Sequence, residues 1–202
     1  MPVVSKGGQF VFGQNLEDVA EFVGLQGTGH TPLPPHELIA KWTNVLRIAQ
    51  SLIRQIPDDK MSDRVIPNRD RALRLLAHHV FRIGEAFLET VNDNVVYAVQ
   101  HANVPPAEGT FTTGKHVADY GDQVIARLET WWSQLADKSC TQNAPTFYGP
   151  QPMHQLLERS TWHSAQHARQ LAAVLERYGI QPERRPTPQD LAGLPLPERL
   201  WE

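Results

Sequence analysis

Four long stretches of this chain carry apolar residues spaced three and four apart, the period of an α-helix that buries one face. The spacing predicts helices over residues 35–56, 68–91, 115–137 and 153–178. Pro35 suits the first turn of a helix, Asn68 can cap the second helix, and Gly179 has the position of a helix-ending glycine. The linker at 101–114 is long enough to cross the fold. An all-α, four-helix bundle is therefore predicted.

Two flanking segments differ in pattern from the predicted bundle, which occupies residues 35–180. Residues 1–34 form an N-terminal appendage in which β-prone runs around a Gly-Gly pair predict a short hairpin, followed by a short helix. Residues 181–202 are rich in proline, so we expect this C-terminal tail to lie extended over the bundle. The apolar residues expected to anchor the tail are Leu194, Leu196, Leu200 and Trp201.

Charge and composition exclude several classes of function. With 19 Lys+Arg against 22 Asp+Glu, the net charge of −3 gives no positive field for nucleic acid or an anionic membrane. No apolar run approaches the ~20 residues of a membrane span, and the first residues lack the pattern of a signal peptide. We therefore expect a cytoplasmic protein with a small-molecule substrate, and neither nucleic acid nor membrane as partner.

Histidine is the unusual component of the sequence. The chain has nine histidines and one cysteine, Cys140, so a metal would be held by His or carboxylate ligands. His163 and His167 are four residues apart and share the apolar face of the fourth helix. On the second helix, His79 falls within the apolar stripe, whereas the adjacent His78 is predicted to point nearly the opposite way, away from the core.

Three imidazoles in one apolar core need polar partners, because an unsatisfied buried polar group costs about 1–3 kcal/mol. A shared metal ion satisfies all three at once, and three protein ligands with an open position are typical of catalytic zinc sites. Hydrogen bonds from core histidines to Tyr, Ser or backbone groups are the alternative interpretation.

Two segments carry a family resemblance. Residues 162–171, WHSAQHARQL, resemble the last-helix motif of the DinB-like family, and residues 75–80, LLAHHV, resemble its second-helix motif. That family includes bacillithiol and mycothiol S-transferases and the mycothiol-dependent maleylpyruvate isomerase. The resemblance implies an up-down-down-up bundle, a homodimer, and a metal site formed by His79, His163 and His167.

A divalent ion on three neutral histidines keeps its charge, so a bound thiol can lose its proton and the pKa of bound water can fall toward ~7. The resemblance implies the thiol chemistry: a low-molecular-weight thiol attacks a small electrophile, in S-transfer or thiol-dependent isomerisation. Hydrolysis of a small ester or amide is one alternative, and a non-catalytic metal-binding or dimerising bundle is another. Zn²⁺, Ni²⁺ and Fe²⁺ all accept imidazole ligands.

Other side chains are weaker candidates for the site. Gln170 borders the inward face of the fourth helix, as a partner for a ligand histidine or as an ordinary interhelical hydrogen bond. Tyr120 and Trp131 lie at helical spacing among apolar neighbours, where they can form core or pocket wall. Cys140 has no adjacent base in the sequence, so we do not expect it to act as a nucleophile.

Overall fold

The computed structural model describes residues 3–13, 16–26, 30–67 and 70–201. The chain divides into two compact units, Met1–Pro32 and Leu33–Glu202, so the division falls two residues before the predicted one. In the smaller unit, β1 (Val3–Lys6) pairs antiparallel with β2 (Gln9–Phe12), and α1 (Leu16–Val23) follows. The turn between the strands is made by two glycines with positive φ, as a tight hairpin requires.

Four long helices build the larger unit: α2 (Pro35–Arg54), α3 (Leu73–Asp93), α5 (Gly114–Gln134) and α6 (Met153–Arg177). Each lies within or close to a predicted helical stretch. A 3₁₀ turn (Asp58–Lys60) and α4 (Val99–Ala102) occupy two of the connections. In the described part of the chain, no helix combines the length and apolar character needed to cross a membrane.

The start of α3 differs from the prediction. The helix begins at Leu73, five residues after Asn68, the predicted cap, which lies outside the described residues. The N–H groups of Leu73 and Arg74 donate to backbone carbonyls of the segment that follows the 3₁₀ turn. These long-range bonds satisfy donors at the start of the helix, which has no side-chain cap.

Each of α2 and α3 packs against both α5 and α6. At the centre, the Phe87 ring meets Trp42 and Trp131 edge to face, with ring centroids 5.3 and 5.0 Å apart. Close approach of α5 to α3 requires Gly121, where an added Cβ would lie 2.5 Å from the Phe81 ring. These contacts place α3 and α6, the two helices that carry the histidine motifs, on one common core.

A second hairpin precedes α6. Its strands β3 (Asn143–Thr146) and β4 (Gly149–Pro152) pair antiparallel, between the third and fourth predicted helices. Three prolines in these short strands hide the pattern of a strand, since proline is found only on strand edges and at ends. Tyr97 forms a parallel bridge with Thr146, which ties the chain after α3 to this hairpin.

The tail is not extended throughout, because it contains α7 (Pro188–Leu191). Thr187 and Asp190 form a reciprocal capping box at its start. This short helix lies against α2, where Lys41 donates to a tail carbonyl and Asn44 donates to Asp190 at 2.7 Å. Of the four anchors expected from the sequence, Leu194 is buried, and Leu196, Leu200 and Trp201 are partly buried.

Candidate metal centre

Three histidines meet where α3 packs against α6. His79 comes from α3, and His163 and His167 come from successive turns of α6. One ligand nitrogen from each lies within 4.8 Å of the other two, and the ring centroids are 4.8 to 5.2 Å apart. Nearby, Ser164 accepts a hydrogen bond from the Trp42 indole and donates to a backbone carbonyl of α3, which fixes the two helices beside the cluster.

Burial favours the neutral form of His79. His79 is 2% exposed and His167 is 9% exposed. Burial, followed by the proximity of His167 and His163, lowers the pKa of His79 well below the ordinary value for histidine. A neutral imidazole is the form that binds a metal, because the ligand nitrogen must carry a lone pair.

Hydrogen bonds fix the orientation of two of the rings. His79 Nδ1 donates to the carbonyl of Ala102, the last residue of α4, at 3.0 Å. His167 Nδ1 donates to Gln170 Oε1 at 2.7 Å. An oxygen acceptor at Nδ1 places the proton there and the lone pair on Nε2, the arrangement typical of metal-ligating histidines. The donor set therefore fits a divalent transition-metal ion.

The C-terminal tail holds Gln170 in place. Gln170 Nε2 donates to the carbonyl of Leu200 at 2.8 Å, so its Oε1 faces His167. Gln166, one turn earlier, donates to the same carbonyl, and Arg169 donates to the carbonyl of Pro197. The sequence indicated Gln170 but not this role of the tail. The available signal was two glutamines four residues apart beside the inward face of α6.

Two cavities flank the histidine cluster. One, of about 310 Å³, is lined by His79. The other, of about 140 Å³, is lined by His163 and His167. Arg71 lines both cavities. Sequence reasoning did not single out Arg71, because the predicted helix over residues 68–91 included it as an ordinary helical residue, whereas the observed α3 begins at Leu73.

The prediction for His78 was wrong. Its side chain is 6% exposed and stacks on Phe111 and Tyr120, with ring centroids 5.2 and 5.3 Å apart. Helical phase alone leaves this side of α3 facing solvent, but Phe111, from the linker before α5, packs over it. Burial, followed by the charge of Arg82, lowers the pKa of His78 to about 4.

The two aromatic candidates lie apart from the cluster. Tyr120 donates to Glu85 at 2.7 Å and stacks on His78, but it lines neither of the two cavities beside the cluster. Trp131 packs on Phe87, about two turns along α3 from His79, and lines a separate cavity of about 710 Å³. The structure therefore does not bring these two side chains to the triad.

Cys140 is fully buried. Burial, followed by the charge of Asp137, raises the pKa of its thiol to about 11, so the thiol stays protonated at neutral pH. This environment matches the expectation that Cys140 is not a nucleophile.

Comparison with known proteins identifies the fold. The crystal structure of a DinB-like protein from Bacillus cereus matches with a TM-score of 0.57 and 20% sequence identity, over 73% of this chain and 94% of that chain. No family model matches the sequence, and no curated protein matches it. At this identity, the likeness concerns the fold alone. The chain has a helix-rich, DinB-like fold, which is the fold that the resemblance implies.

Proposed function

We propose that this protein is a metal-dependent enzyme that uses a low-molecular-weight thiol against a small electrophile, in S-transfer or thiol-dependent isomerisation. The observation that carries the proposal is the cluster of His79, His163 and His167, whose ligand atoms lie within 4.8 Å of one another beside two cavities. Zn²⁺ and Ni²⁺ are the metals we expect first, and Fe²⁺ is a further candidate.

When bound, a divalent ion supplies Lewis acidity that lowers the pKa of a thiol or water in contact with it. The protein contributes neutral ligands, which leave the charge of the ion uncompensated. Ala102 and Gln170 hold the rings of His79 and His167 in one orientation. Trp162 and Trp201 line the cavity on the side of α6.

The cavity of His79, at about 310 Å³, is at the lower end of the volumes of ligand sites, and the cavity of His163 and His167, at about 140 Å³, is smaller still. These volumes favour a small substrate over a polymer. They support a reaction in which a thiol and a small electrophile approach the ligand cluster from its two sides.

We also propose that the four long helices run up, down, down and up, with the tail of residues 181–201 lying along α2 and α6. Two contacts for each of three helix pairs support these directions. For α2 and α5 they are Arg54 with Asp122 and Arg47 with Glu129, and for α3 and α5 they are His78 with Tyr120 and Phe87 with Trp131. For α2 and α6 they are Trp42 with Ser164, and Gln55 with Gln181, two residues that lie just after the ends of these helices.

A direct assay tests the chemistry. Zinc- or nickel-loaded protein is mixed with glutathione, bacillithiol or mycothiol and with monochlorobimane or chlorodinitrobenzene. We expect thiol conjugation above the uncatalysed rate, and its loss in His163→Ala. The exposed His116 on α5 provides the matched control, His116→Ala, which should keep the activity.

Two results would contradict the thiol proposal. Hydrolysis of p-nitrophenyl acetate that needs the metal but no thiol would point to a hydrolase. A metal-loaded protein that accelerates neither reaction would point to a binding protein.

We further propose that the protein works as a homodimer in the cytoplasm. The family resemblance supports the dimer, and a composition with one cysteine is compatible with a reducing compartment. Light scattering coupled to size-exclusion chromatography tests the dimer, and a mass near 22.8 kDa would contradict it.

A further inference from the structure

We propose that Arg71 binds an anionic group of the substrate, so that the protein acts on small carboxylates with an apolar or aromatic body. This inference rests on the proposed function, because it names the substrate class of the same site. It concerns a residue outside the three-histidine cluster.

Arg71 has a position shared by both sides of the site. It lines the cavity of His79 and also the cavity of His163 and His167. One guanidinium nitrogen donates to the carbonyl of Leu75 at 3.2 Å, which holds the side chain along the first turn of α3. The charge of Arg71 also contributes to the low pKa of His79, although burial and the two other histidines contribute more.

The lining of the cavities favours an anion. Arg71 places a cationic side chain in the wall of the cavity of His163 and His167. The other cavity has one carboxylate, Asp70, which pairs with Arg64. A guanidinium offers parallel N–H donors that match a carboxylate, so Arg71 supplies both the charge and the geometry for such a group.

The remaining walls favour an apolar body on the substrate. Trp162 and Trp201 line the smaller cavity together with Ile66 and Pro197. The Arg177 guanidinium lies over the Trp201 ring, 4.8 Å from its centre, and helps to hold this wall in place. A carboxylate at Arg71 therefore leaves the apolar part of a small ligand in contact with aromatic rings beside the histidines.

Binding of two matched probes tests the inference. Phenylacetate and its neutral analogue phenylacetamide are titrated into zinc-loaded and metal-free protein, with tryptophan fluorescence or calorimetry as the readout. We expect phenylacetate to bind more tightly than phenylacetamide in both forms. Arg71→Gln should weaken phenylacetate binding about tenfold or more, through loss of a charge-assisted hydrogen bond, and leave phenylacetamide binding unchanged.

Two variants serve as comparisons. Arg74→Gln removes a charge of the same sign one turn along the chain, from a residue that lines neither cavity, and should change nothing. Arg71→Lys keeps the charge but loses the planar fork, so we expect a weakening of several-fold. If Arg71→Gln fails to fold, Arg71→Lys decides the test.

Several results would overturn the inference. The inference is wrong if the folded Arg71 variants bind phenylacetate as tightly as wild type does. It is also wrong if wild type binds phenylacetate and phenylacetamide with equal affinity. A preference for phenylacetate that disappears on metal removal would assign carboxylate binding to the ion instead of Arg71. Failure of the protein to bind metal would overturn the proposed enzyme, while the metal-free titrations would still decide the role of Arg71.

Discussion

Two successive hydrogen bonds connect His167, a ligand candidate, to the C-terminal tail: Gln170 accepts from the His167 ring and donates to the carbonyl of Leu200. We expect Gln170→Leu to reduce zinc affinity about tenfold or more, since the ring loses the acceptor that fixes it. Competition with a fluorescent chelator measures the affinity. Gln155→Leu, on the same helix but lining neither cavity, should leave it unchanged. An unaltered affinity in Gln170→Leu would contradict this role.

His78 is adjacent to the ligand candidate His79 and lines the same cavity, but its ring stacks on Phe111 and Tyr120. We expect His78→Ala to lower the free energy of unfolding by about 1–3 kcal/mol, because it removes a buried ring that stacks on Phe111 and Tyr120. Urea denaturation measures this loss. Metal content of the folded variant should remain that of wild type, and a loss of metal without a loss of stability would contradict the assignment.

Sequence reasoning at the residue scale succeeded where one helix determines the outcome. The phase of each apolar stripe selects His79, His163 and His167, and the structure brings these three together. The phase of one apolar stripe does not show whether another segment of the chain packs over the opposite face of the helix. The burial of His78 was therefore not predicted. Phase also gives no information on Arg71, which is positioned by irregular chain.

At the scale of elements, α4 is held against α3 by a charged network. Arg82 makes two hydrogen bonds to Glu89, of 2.9 and 2.8 Å, and a third to the carbonyl of His101. The ring of His101 donates to Glu89. Ala102 follows His101 in α4, and its carbonyl accepts a hydrogen bond from His79. By holding α4 in place, the network therefore helps to position His79.

We expect Glu89→Gln to lower the free energy of unfolding by about 2 kcal/mol or more, because it leaves the buried Arg82 guanidinium without its full counter-charge. Glu129→Gln is the matched control. Its partner Arg47 is about half exposed, and such pairs contribute less than about 1 kcal/mol. Chemical denaturation of the two variants compares them, and equal losses would contradict the importance of the network.

The pH dependence of this network has a definite sign. Burial raises the pKa of Glu89, but the hydrogen bonds and charges of Arg82 and His101 together outweigh it and lower the pKa below its ordinary value. The contribution of Glu89 is therefore present at neutral pH and is lost as the pH falls through the lowered value.

The long helices were predictable because each spans several turns of a regular apolar pattern. The short elements were not. α4 has four residues, and the strands of the second hairpin contain Pro145, Pro150 and Pro152, so neither shows a period. These elements are defined by contacts with distant parts of the chain, such as the bridge from Tyr97 to Thr146.

At the scale of the whole molecule, the candidate site belongs entirely to the unit that begins at Leu33. This unit has its own continuous apolar core. We expect a chain that lacks residues 1–32 to fold with an unchanged unfolding midpoint and unchanged metal content. Circular dichroism and elemental analysis check this result, and loss of metal on deletion would contradict it.

In contrast to the deletion of residues 1–32, we expect removal of residues 197–202 to weaken metal binding. This deletion takes away the carbonyl that holds Gln170 and the Trp201 wall of the smaller cavity. We expect the shortened protein to remain helical and to bind zinc more weakly than wild type, by the same competition assay.

Metal content shows whether the three histidines bind an ion. Protein purified without a nickel column is analysed for its elements, as wild type, His163→Ala and His116→Ala. We expect about one divalent metal ion per chain in wild type and in His116→Ala, and we expect folded His163→Ala to lose the ion. Wild-type protein that holds no metal, even after incubation with zinc, would contradict this expectation.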